Sequence, residues 1–196
     1  MTKFAHITSW ENTQELTEKK LSTEHWDVSH YWKSKEDPNS NPLDISPVMQ
    51  LLELALSEVM SPDQSRSSIE TIKKSMIGYK YTSELLKEFT FEEVRKEFFP
   101  DRPSRKRCMF ALPEGSDIEL FRAKFGLTKQ VRKNVVLIEP INGASNVFVA
   151  DALLLNCNTL PVEEIREKAR AYWNGSGTMS LPEVLIEGEF QIIRSL

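Results

Sequence analysis

A polar side chain on a strand must find a partner or a ligand once it is buried, and this chain carries such side chains on strands at both its ends. Residues 3–9 run Lys-Phe-Ala-His-Ile-Thr-Ser. Period-two alternation places His6 and Thr8 on one side of that strand, with Ser9 at its end. Residues 182–193 run Pro-Glu-Val-Leu-Ile-Glu-Gly-Glu-Phe-Gln-Ile-Ile. They predict a last strand or strand pair that starts at Glu183, with Gly188 at a turn or bulge. The fold therefore has to accommodate a histidine, two hydroxyls and a carboxylate on its terminal strands.

Between these ends the pattern changes twice. A polar, helix-compatible stretch covers residues 12–21, and residues 34–42 have the composition of a loop. Ser46-Pro47 supplies an N-cap and first-turn proline for an apolar helix through Val48, Leu51, Leu52, Leu54, Ala55, Leu56 and Val59. Two more helices are predicted over 64–77 and 83–99, the second ended by Pro100. Apolar and β-branched runs then predict strands over 107–112, 134–140 and 146–155, with a helix over 116–125 stopped by Gly126. A further amphipathic helix over 161–173 carries Val162, Ile165, Ala169 and Tyr172 on one stripe and ends at Asn174-Gly175. The expectation is one α+β domain over 1–196, with a mixed or antiparallel sheet and a helical insertion at about 46–99.

At 196 residues the chain is long enough to bury a substantial core. Cys108 and Cys157 are its only cysteines, too few for a disulfide framework or a zinc site, and both lie in apolar stretches that suit buried free thiols. No metal site is expected, since His25 and His30 do not share a helical face. There is no apolar leader and no run approaching the roughly 20 apolar residues of a membrane helix. A cytoplasmic protein with no membrane partner is the expectation.

The net charge of −4 hides an asymmetry. Residues 101–133 hold nine Lys/Arg against four acids, a local +5 that leaves −9 elsewhere. Clustered positive charge is what phosphate binding needs, although a solvated face of mixed sign gives the same count. Within it, Pro103-Ser104-Arg105 leads into a strand, where a hydroxyl and a planar guanidinium can meet a diphosphate. Structural ion pairs of Arg95 and Arg105 with Glu92 or Asp101 are the competing use. Tyr172 and Trp173 close a helix about a third of a turn apart, so one can be core while the other faces a site, although most aromatics at such spacing are simply core. Trp10, Trp26, Tyr31 and Trp32 form a second aromatic stretch, suited to a lid over a flat ring. No Gly-rich phosphate loop and no G-x-S-x-G elbow occurs.

The order of these parts resembles a family of uncharacterised bacterial and phage proteins with a Phe-Glu-x-Val-Arg…Phe-Pro-x-x-Pro-Ser-Arg segment and a Tyr-Trp-x-Gly helix end. More distantly, the His6-Ile-Thr8 start and the Glu183-Val-Leu-Ile end resemble DarT-type nucleic-acid ADP-ribosyltransferase toxins and the wider diphtheria-toxin-like superfamily. That resemblance implies an ADP-ribosyltransferase-like sheet and an enzyme that takes NAD as substrate. It gives His6 the NAD ribose, Thr8 or Ser9 the nicotinamide amide, and Glu183 the catalytic role. Ser104 and Arg105 would serve the diphosphate, and Tyr172 or Trp173 would stack on nicotinamide, while Tyr79, Tyr81, Phe98 and Tyr172 compete for the superfamily's second tyrosine. Glu187-Gly-Glu189 matches the Glu-x-Glu of arginine-modifying relatives, whose first strand starts from arginine rather than His6; Glu187 and Glu189 thus compete with Glu183. The implied acceptor is nucleic acid, in a toxin or phage-defence role that brings an antitoxin as a possible partner. A catalytically silent module that binds a nucleotide, ADP-ribose or a partner is the alternative. A third reading uses the helix from Val48 to Val59 as a protein interface.

Overall fold

The computed structural model describes residues 2–8, 17–23, 62–125, 134–175 and 179–196. Ser9, the loop over 34–42, the apolar helix over 46–59 and the aromatic stretch of Trp10, Trp26, Tyr31 and Trp32 lie outside the described residues. The strands are β1 (Phe4–Thr8), β2 (Lys20–Ser22), β3 (Met109–Pro113), β4 (Asn134–Asp151) and β5 (Pro182–Ser195), and the helices α1 (Pro62–Phe98), α2 (Ile118–Phe125) and α3 (Val162–Asn174). They form an α+β architecture around a five-stranded sheet in the order β2-β5-β3-β1-β4, in which every pairing is antiparallel.

β4 also pairs with β5, so the ladder runs from β5 through β3, β1 and β4 back to β5 and closes on itself. Closure needs strands long enough to bend between neighbours. β4 and β5 provide this, with register shifts near Leu137/Ile138 and Pro140/Ser145. Alternation then sorts the side chains. Phe4, Met109, Ala111, Val136, Ile138, Val184, Ile186, Phe190 and Ile192 share one face as a continuous core. The other face is covered in two places. Ala5, Ile7, Leu112 and Val135 pack with Ile118 and Phe121 of α2. Phe91, Val94, Cys108, Phe148, Leu185, Ile165, Ala169, Tyr172 and Trp173 pack between the sheet and helices α1 and α3.

Several elements differ from the sequence expectation. The helices predicted over 64–77 and 83–99 are one 37-residue helix. Gly78 lowers helix propensity by about 1 kcal/mol against alanine but supplies no cap or turn, so the helix runs through it. Thr82 and Ser83 instead donate their hydroxyls to the carbonyls of Gly78 and Tyr79. The strands predicted over 134–140 and 146–155 are one bent strand ending at Asp151, whose carboxylate caps the 3₁₀ turn 152–155 through the Leu153 amide. Part of the helix-compatible stretch over 12–21 is strand: Lys20–Ser22 pairs with Phe190 and its neighbours on β5, after Glu18 turns the chain at φ 67°. The open edge of β5 overrides local helix propensity there. The helix ending at Asn174-Gly175 is as expected, with Gly175 left-handed at φ 64°.

Gly188 is where β5 bends against β4, at φ 111°. A Cβ there would lie 2.1 Å from the Ala144 carbonyl oxygen, a backbone atom that cannot rotate away. Gly188→Ala is therefore expected to lower stability by at least about 1–3 kcal/mol, the usual cost of a glycine-only conformation, read as a lower denaturant midpoint. A midpoint equal to wild type would mean that the β4–β5 approach is looser than described.

Candidate functional site

Three residues nominated from sequence converge from separate elements. Arg105 follows the loop after α1, Tyr172 sits in the last turn of α3, and Glu183 opens β5. Arg105 Nη1 donates to Glu183 Oε1 at 2.5 Å and to the Tyr172 hydroxyl oxygen at 2.6 Å. The Tyr172 hydroxyl in turn donates to the same Glu183 oxygen. The other edge of the guanidinium is taken by Glu88 of α1, through Nε at 3.1 Å and Nη2 at 3.5 Å. Glu88, Arg105 and Glu183 are 3%, 5% and 3% exposed, and Tyr172 is fully buried. The Arg105 guanidinium also lies over the Phe110 ring, 4.9 Å from its centroid.

The neighbouring loop is pinned by a second set of contacts. Arg95 makes a two-point pair with Glu92, Nε to Oε2 at 3.1 Å and Nη2 to Oε1 at 2.8 Å. Its Nη1 donates to the carbonyls of Pro100 and Arg102. Ser104 donates its hydroxyl to Glu92 and its backbone N–H to Glu187 Oε2 at 2.9 Å. The Val-Arg…Phe-Pro-x-x-Pro-Ser-Arg segment is thus a helix end and loop held shut by its own arginine, which aims Arg105 inward. Arg95 accordingly pairs with Glu92, as the competing ion-pair use anticipates. Ser104 is spent on Glu92 and Glu187, and Arg105 on carboxylates.

Glu88 was not among the nominated residues. Its signal is the spacing of Glu84, Glu88 and Glu92, which one-turn periodicity lines up on a single face of α1. Lys87 supports that row, 2.6 Å from Glu84 and 4.0 Å from Glu88.

His6 and Thr8 sit elsewhere. His6 lies on β1 with its Nδ1 donating to the Phe110 carbonyl at 2.7 Å; a carbonyl only accepts, so Nδ1 carries the proton. Both residues are buried. By alternation they share the face of Phe4, whereas Glu183 shares that of Leu185, under the helices. The sheet therefore separates His6 from Glu183. Both rings of the aromatic pair are core, the commoner outcome for aromatics at this spacing. Trp173 stacks on Phe148 and donates Nε1–H to the Phe91 carbonyl at 2.8 Å, and only the Tyr172 hydroxyl reaches the charged cluster. Glu183 lines neither the cleft of ≈ 570 Å³ at the β4–β5 bend nor the groove of ≈ 380 Å³ beside Phe98 and Arg170. Among the described residues no three His, Cys, Asp or Glu side chains gather in a metal-binding arrangement, and no helix is long and apolar enough to cross a membrane.

Burial sets the titration of the Tyr172 hydroxyl and of the two thiols. It pushes the Tyr172 hydroxyl and the Cys108 thiol well above their ordinary ranges; Arg105 opposes the push and Glu183 adds to it. Cys157 is also raised by burial, and both cysteines are free. These groups stay neutral in the folded protein while their unfolded counterparts ionise from about pH 9 for cysteine and about pH 10 for tyrosine. The unfolded chain then binds fewer protons than the native one, so stability is full below about pH 8 and is lost as pH rises. The guanidinium chloride midpoint should fall between pH 9 and 11, and less steeply in Cys108→Ala. A midpoint constant to pH 11 would contradict the described burial.

A polar cluster this deep is costly to build, because desolvation of each ion must be offset by its partners. Buried, strongly coupled titratable groups concentrate at functional sites as well as in structural ion pairs. Chemically, the cluster offers two carboxylates, a guanidinium and a phenol sharing a few ångströms of low-dielectric space. A search of curated proteins gives no match. A family model described as "Protein of unknown function (DUF2441)" matches residues 10–196, and the chain belongs to that family.

Proposed function

We propose that the protein is an ADP-ribosyltransferase that takes NAD as substrate and transfers its ADP-ribose to a macromolecule, with nucleic acid as the favoured acceptor. The observation that supports this most is the meeting of Arg105, Tyr172 and Glu183 in one buried cluster, three candidate residues from separate parts of the chain, of which the resemblance gives Glu183 the catalytic role. Cleaving the nicotinamide–ribose bond develops oxocarbenium-like positive charge on the sugar. A fixed carboxylate in a low-dielectric site stabilises that charge and accepts the proton of the incoming nucleophile. In this reading Glu183 does both. Arg105 neutralises Glu183 at rest and exchanges it for the substrate diphosphate, and the Tyr172 hydroxyl orients the carboxylate. Arg102, Lys106 and Arg107, on the turn that carries Arg105, favour a phosphate-rich acceptor. The toxin or phage-defence role, its antitoxin partner and a cytoplasmic setting are proposed from the same resemblance.

A second reading, the catalytically silent nucleotide or partner-binding module, is favoured by one specific observation. Glu183 and His6 lie on opposite faces of the sheet, and Glu183 is enclosed by Arg105 and Tyr172. The two readings separate in one experiment. If the enzyme reading holds, NAD raises the thermal midpoint and nicotinamide is released, and Glu183→Gln stops release by about 10³-fold or more while keeping the midpoint shift. A midpoint shift with no release in wild type would leave the silent module. No shift and no release would remove NAD from the account.

A further inference from the structure

The cleft of ≈ 570 Å³ at the β4–β5 bend is lined by Thr23, Arg107, Gly143–Asn146, Glu187 and Gly188, and the Glu183 cluster contributes nothing to it. Its size is within the range of small-ligand sites. The lining combines one outward cation with fixed acceptors. The Arg107 side chain is 58% exposed and is tethered by Nη2 to Glu187 Oε1 at 3.2 Å. Five N–H donors in a planar fork leave most of that guanidinium for an anion. Glu187 is anchored at its other oxygen by the Ser104 N–H and is 26% exposed at the side chain, so it presents a carboxylate of fixed orientation. Asn146 spends its Nδ2 on the Asp101 carbonyl, which turns its Oδ1 acceptor the other way. Thr23 accepts from the Gly188 N–H at 2.8 Å and keeps its hydroxyl proton to donate.

A bare anion would suit Arg107 but would be repelled by Glu187. A neutral sugar would suit Glu187 and Asn146 but would leave the arginine unused. A group that carries an anion a few ångströms from vicinal hydroxyls satisfies both. We propose that this cleft binds a ribosyl phosphate, with the phosphate on Arg107 and the ribose hydroxyls on Glu187 and Asn146. The choice of ribose over other sugars rests on the NAD reading; the anion-plus-hydroxyl requirement does not.

The test is calorimetric titration of the full chain with ADP-ribose, AMP, 2′,3′-dideoxy-AMP and a short single-stranded oligoribonucleotide. ADP-ribose or AMP should bind, and Arg107→Gln should weaken binding about tenfold or more, the scale of one lost charge-assisted contact. Arg107→Lys should recover part of it. The dideoxy nucleotide should bind more weakly than AMP to wild type, and Glu187→Gln should narrow that gap. Tighter binding of ADP-ribose than of the oligonucleotide assigns the site to the free nucleotide, and the reverse order assigns it to a strand. No binding at millimolar ligand, or binding indifferent to Arg107→Gln, would overturn the proposal. Nicotinamide release by wild type with Arg107-independent ADP-ribose binding would overturn this cleft alone. Arg107-dependent binding without nicotinamide release would overturn the enzyme reading and keep the cleft.

Discussion

Replacing Arg105 by methionine is expected to lower the thermal midpoint by about 10 °C. The arginine is the shared partner of two buried carboxylates, so its removal strands Glu183 and leaves Glu88 a cation only at 4.0 Å, on Lys87, in a site that is almost closed to water. Breaking a buried pair from one side costs about 3–5 kcal/mol, and each kcal/mol moves the midpoint of a chain this size by about 2–4 °C. Methionine preserves most of the volume, so the loss reports charge rather than packing. Arg105→Lys should fall in between, because an ammonium cannot span Glu88 on one edge and Glu183 with Tyr172 on the other. The triple change Arg105→Met, Glu88→Gln, Glu183→Gln should regain much of the loss, since it removes the stranded charges. Near-wild-type stability in Arg105→Met alone would mean that the carboxylates reach water or another cation.

Trp173→Ala is the second large effect. The side chain is fully buried, stacks on Phe148 with centroids 5.7 Å apart, meets Tyr172 edge-on at 4.9 Å and satisfies the Phe91 carbonyl through Nε1–H. Truncating a large core aromatic costs about 3–5 kcal/mol. The Phe91 carbonyl keeps its helical partner, so the lost Nε1–H bond adds little and the cavity sets the value. Trp173→Phe keeps most of the apolar contact and should lose clearly less. Equilibrium denaturation gives the number, with an unchanged slope marking a stability effect on the same folded state. A loss under about 1 kcal/mol in the alanine variant would contradict the packing of α3 between the sheet and α1.

What the sequence made legible follows from how local each signal is. The end of α3 was readable because Asn174-Gly175 is a local stop, and Gly188 because a glycine inside a strand marks an approach of backbones. The convergence of Arg105 with Glu183 was readable only in outline, as a basic residue entering one strand and an acid entering another. Their hydrogen bond spans 78 positions and depends on β3 pairing with β5, which no window of sequence contains. The same holds for β2. Its three residues become a strand because β5 leaves an edge open, not because Lys-Leu-Ser prefers to extend. Ring closure is the least local feature. It decides that His6 faces the inner core while Glu183 faces the helices, and strand alternation within either segment is silent about the relative sides of two distant strands. Glu88 was missed for the opposite reason. A carboxylate row on a charged helix looks like a solvated face until a basic loop is folded over it.

The measurement that bears most directly on the account is transfer of label from NAD to nucleic acid by the purified chain, with Glu183→Gln run beside it at matched stability. Label should appear on a DNA or RNA strand with wild type and be lost with Glu183→Gln, although NAD still raises the variant's thermal midpoint. Equal labelling by both proteins would contradict a catalytic Glu183. No labelling by a folded, NAD-binding wild type would turn the buried Glu88–Arg105–Glu183–Tyr172 cluster into the structural heart of a binding module.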